Sequence, residues 1–87
     1  MLHARPDYNR IQDPAELIPA EEPVFLLRAQ DRTAPATLDY WIALQIQFGG
    51  DPALIQLTRN HAAAMRAWQE AHPPKLADLV RKEPDNA

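Results

Sequence analysis

The sequence predicts a mainly α fold. It reads as an antiparallel helical hairpin, with helices over about 33–48 and 52–71, crossed by an extended N-terminal arm and a short apolar segment at 23–29. Two observations carry this expectation. The segments flanking Gly49-Gly50-Asp51-Pro52 each repeat apolar residues at steps of three and four, the period of one helix face. The tetrapeptide between them reads as a stop signal followed by a start signal. Glycine enters the left-handed region beyond a helix C-terminus without a Cβ clash. Aspartate then accepts the free N–H groups of the next helix, and proline in its first turn forfeits no bond.

The 87 residues suit one domain, divided into an arm at 1–22, a core at 23–72 and a short C-terminal helix with a tail at 73–87. A chain of this length buries only roughly 60% of its extended surface, so its margin of stability is thin. The chain contains neither cysteine nor serine. That removes disulfides, thiolate metal sites and the two commonest nucleophiles. A net charge of −3 argues against general polyanion binding, which needs a basic surface. Met1 to Arg5 leads into no apolar run, and no apolar stretch approaches the ~20 residues of a membrane span. A soluble, cytoplasmic protein is expected.

Pro6, Pro14 and Pro19 rule out a long helix in the arm. Asp13-Pro14-Ala15-Glu16 has the order of a capping box, so one helical turn over 13–18 is expected, ended by Pro19. Tyr8, Ile11, Leu17 and Ile18 would anchor the arm. Pro23-Val24-Phe25-Leu26-Leu27 is apolar but too short for periodicity to separate a strand from a helical turn. A strand would need a partner, either residues 8–12 or the same strand of a second subunit. A helix over 22–29 would need none, and the helical character of the rest of the chain favours it.

Asp31 or Thr33 would cap the first long helix, with Pro35 in its first turn. Leu38, Trp41, Ile42, Gln45 and Phe48 mark its apolar face, with Leu44 beside them. On the second helix, Leu54, Leu57, His61, Ala64 or Met65, and Trp68 define the expected seam. His72-Pro73-Pro74 ends that helix, and Lys75 to Val80 would form a last turn with Leu76, Leu79 and Val80 docking back.

From Thr33 to Glu70 the only formal charges are Asp39, Asp51, Arg59, Arg66 and Glu70. A two-helix hairpin with this little charge leaves apolar surface wet around Tyr40, Ile46 and Ile55, and such surface marks an interface. A homodimer with a four-helix arrangement is the economical expectation, and a protein partner the other. Tyr40, Trp41, Ile46, Phe48, Ile55 and Trp68 are the interface candidates, with Arg10, Arg28 and Arg32 as polar ones.

Catalytic chemistry finds no support. His3, His61 and His72 have no ligand spacing, so neither a metal nor another cofactor is expected. Asp13, Asp31 and Asp51 each stand where a helix cap is wanted, and no glycine-rich phosphate loop exists. A helix-turn-helix DNA reader would offer Gln56, Arg59, Asn60 and Arg66. Its helices would be overlong for that motif and its surface acidic, which makes nucleic acid an unlikely ligand.

Across Asp7-Tyr8-Asn9-Arg10-Ile11-Gln12-Asp13-Pro14, Ile18-Pro19 and Glu22-Pro23-Val24-Phe25-Leu26-Leu27-Arg28-Ala29-Gln30-Asp31, the chain resembles small uncharacterised bacterial and phage proteins. The resemblance continues through the hairpin to Lys75-Leu76-Ala77-Asp78-Leu79. It implies no activity and transfers no catalytic residue. It implies a prophage or mobile-element setting, in which small helical proteins act by binding a larger host assembly. The sequence thus points to a non-enzymatic protein–protein interaction module, a phage-type stoichiometric inhibitor or assembly accessory. A small DNA-binding regulator is the alternative.

Overall fold

A computed structural model describes residues 1–7 and 11–79. Four elements occur in the order β1 (Leu2–His3), β2 (Pro23–Val24), α1 (Ala34–Gln47) and α2 (Pro52–Ala71). They fall into two compact units, one within Met1–Leu26 and Asp78–Ala87, the other Leu27–Ala77. The two helices supply most of the regular structure, as expected.

In the first unit, β1 and β2 pair in parallel, with Leu2 opposite Pro23 and His3 opposite Val24. The Leu2 N–H donates to the Glu22 carbonyl at 2.6 Å and the Ala4 N–H to Val24 at 3.1 Å. Glu22 and Val24 serve these bonds as acceptors, so the missing N–H of Pro23 does not interrupt them. The apolar segment is therefore not a helix over 22–29. Its first two residues form a strand, and residues 25–28 follow with no regular structure. The strand's partner is Leu2–His3 rather than residues 8–12, of which Gln12 and Ile11 alone lie among the described residues.

The expected helical turn at 13–18 is also corrected. Asp13 closes a turn with the Glu16 N–H at its carbonyl, 3.0 Å. Its carboxylate accepts from the Leu17 and Ile18 N–H groups, both at 3.0 Å. Glu16 takes φ of 52°, which breaks a right-handed helix at the point where the capping box needs it to continue. Leu17 is exposed rather than an anchor, while Ile11 and Ile18 are half-buried. Tyr8 lies outside the described residues. Arg5 grips Asp7 through two bonds of 3.1 and 2.8 Å and also donates to the Asp78 carbonyl.

In the second unit, Asp31 prepares the start of α1 without capping it directly. Its carboxylate accepts the Thr33 N–H at 3.0 Å and the Thr33 hydroxyl at 2.9 Å. Thr33 is the N-cap, yet its side chain makes no cap bond, because its backbone is already helical. Gln69 of α2 donates to the Ala29 and Asp31 carbonyls, at 2.9 and 3.0 Å. Arg32 N–H donates to Lys75 and Lys75 N–H to Gln30, at 2.8 and 3.0 Å, forming an isolated parallel bridge. That pairing replaces the helical turn expected from Lys75. Leu76 and Leu79 are exposed and do not dock back, and Val80 lies outside the described residues.

The turn between the helices matches the reading of its residues. Gly49 takes φ of +74°. Its N–H donates to Ile46 at 3.3 Å, and the Gly50 N–H to Gln45 at 2.7 Å. This is the Schellman pattern of paired bonds that closes a helix end. A Cβ on Gly50 would meet the Gln45 side chain and carbonyl, so the second glycine serves close approach. Asp51 accepts the Ala53 N–H at 2.9 Å and Pro52 opens α2. Ala71 closes it, with His72 as C-cap before Pro73.

α1 and α2 pack on one another. The buried apolar residues of this unit are Ala34, Ile42, Ile55, Ala62 and Met65, with Pro35 buried beside them. On α2 the inward residues therefore run Ile55, Thr58, Ala62, Met65 and Gln69, the polar two half-buried. The expected seam ran Leu54, Leu57, His61, Ala64 or Met65, and Trp68, and of these the structure buries Met65 alone. Both rows follow steps of three and four, one residue out of phase, which is about 100° around a helix. The structure turns inward the row with the fewer large residues. Ala62 at its centre lets the α1 backbone come close, which a leucine or histidine there would prevent.

Candidate functional surface

Turning the Ile55 row inward leaves the other row outward. Leu54 is 47% exposed, Leu57 65% and Trp68 37%, and His61 and Ala64 are exposed with them. Histidine at 61 is thus a surface residue and not a core one. Ile55, expected at the interface, is 6% exposed and buried between the helices, so no partner can reach it.

Two depressions open beside the exposed row. One, of about 260 Å³, is walled by His61, Ala64, Met65 and Trp68 of α2 and by Leu27, Arg28 and Ala29. The other, of about 230 Å³, lies among Leu27, Thr37, Leu38, Trp41 and Thr58. They share Leu27 and adjoin there as a trough, its first part walled by α2 and residues 27–29 and its second by α1 together with Thr58 of α2. Thr37 and Trp41 lie four residues apart and Phe48 seven further on, spacings that keep all three on one side of α1. Phe48 is 79% exposed and Trp41 half-buried. Of the expected interface set, Trp68 thus borders the first depression and Trp41 the second, and Phe48 is exposed on the Trp41 side of α1. Tyr40 and Ile46 are exposed elsewhere on α1. Tyr40 is one residue before Trp41, a step of about 100° around the helix.

Charge is sparse on this surface. Arg66 is bound to the Asp39 carboxylate across the two helices. Hydrogen bonding from Arg66 holds the Asp39 carboxyl below the usual carboxylate range, against a smaller opposing effect of desolvation, and Asp39 raises Arg66 in turn. Of the side chains a DNA reader would use, Gln56 donates to Asn60 at 2.9 Å and Arg66 is held by Asp39. The remaining polar candidates, Arg28 and Arg32, are exposed, and Arg10 lies outside the described residues. Trp68 stacks on His72 with centroids 4.1 Å apart, and the His72 Nδ1 lies 3.0 Å from the Trp68 carbonyl. The stack packs His72 against the indole that lines the first depression.

Among the described residues no group of three or more His, Asp and Glu side chains could hold a metal ion. No described helix is long and apolar enough to cross a membrane. Compared with protein-family models, curated proteins and solved structures, the chain matches none of them.

Proposed function

We propose that the protein is a non-enzymatic interaction module that presents the trough side of an antiparallel helical hairpin to another protein surface. One observation carries the reading. Leu54, Leu57 and Trp68 stand outward on α2 while a thinner row is buried. Folding normally buries the larger apolar row, at about 25 cal/mol per Å² of surface removed from water. A soluble domain that leaves it outward has kept it for association. The trough suits the apolar face of a helix, the mode in which anchors three, four and seven residues apart enter a groove. A stoichiometric inhibitor or assembly accessory of the kind implied by the resemblance to phage proteins would act through such a face, in the cytoplasm.

Leu57→Glu tests the reading, with dye binding to exposed apolar surface and urea unfolding as readouts. The dilute native protein is expected to bind an anilinonaphthalene sulfonate. The variant should bind less of it while keeping its stability within about 0.5 kcal/mol, as for an exposed position. A loss of several kcal/mol would place Leu57 in the core and end the proposal.

A further inference from the structure

We draw no further inference here: the strongest candidate, the exposed apolar row of Leu54, Leu57 and Trp68 on α2 with the depression beside it, is an unpartnered face, and nothing in the structure shows what covers it.

Discussion

Ile55 and Leu54 are neighbours in sequence and opposites in environment, so truncating each in turn interrogates the orientation of α2. Ile55 is 6% exposed between the helices, with Ala62 and Met65 on the same row. Removing its side chain to alanine forfeits the transfer energy and leaves a cavity, a loss of 2–5 kcal/mol in well-packed cores. The thin seam around Ile55 places it near the lower end, at about 2–3 kcal/mol. Leu54 is 47% exposed. At about 0.8 kcal/mol per buried methylene, its half-buried side chain contributes about 1 kcal/mol. Ile55→Ala should therefore lower the folding constant about five- to thirtyfold more than Leu54→Ala. Urea unfolding followed by far-UV circular dichroism measures both, at dilutions that keep the chain monomeric and with midpoints compared at a common slope. Equal losses, or a larger loss at Leu54, would mean that the Leu54 row faces α1 and that the orientation described here is wrong.

Four other substitutions probe the remaining elements. Gly49→Ala keeps open space around the new Cβ but must hold φ at +74°, so it should cost about 1 kcal/mol, and Gly49→Asn less, by thermal unfolding. Asp51→Ala removes the α2 cap and should cost about 1 kcal/mol in the same assay, with Asp51→Asn recovering most of it. Gln69→Leu removes the side-chain donor of the Ala29 carbonyl and leaves the Asp31 carbonyl with the Ala34 N–H; a loss of about 1–3 kcal/mol and faster amide exchange near residues 29–31 are expected. Arg66 lowers the Asp39 pKa, so this pair's contribution is complete above the ordinary carboxylate value and disappears as pH falls through the lower native one. NMR titration should find Asp39 below the usual range, and Arg66→Gln should return it there, both effects shrinking in high salt.

What was legible in the sequence is what local backbone chemistry dictates. Gly49, Asp51 and Pro52 each carry a conformational or hydrogen-bonding demand that needs no distant partner, and the structure meets all three as read. Pro73 likewise ends α2 where it should. The errors lie where a distant segment decides. Pro23–Val24 is a strand because Leu2–His3 pairs with it, and nothing near residue 23 announces that partner. Lys75 extends instead of turning because the backbone beside Asp31 pairs with it. The orientation of α2 was missed for a subtler reason. Two rows with the same period lie side by side on that helix, and hydrophobicity favours the Leu54 row. Ile55 was misplaced with it. The available signal was size: Ala62 at mid-helix, in register with Ile55 and Met65, permits close helix approach. Sequence composition did indicate surplus apolar surface, and Phe48 and Trp68 were named for it, but with the wrong row inward its location on α2 was displaced.

Methyl spectra of the labelled chain, recorded with and without a soluble paramagnetic agent, would follow both rows of α2 at once. Broadening is expected at Leu54, Leu57 and Ala64, while the methyl groups of Ile55, Ala62 and Met65 stay sharp. Broadening led by Ile55 and Ala62 would contradict an outward Leu54 row.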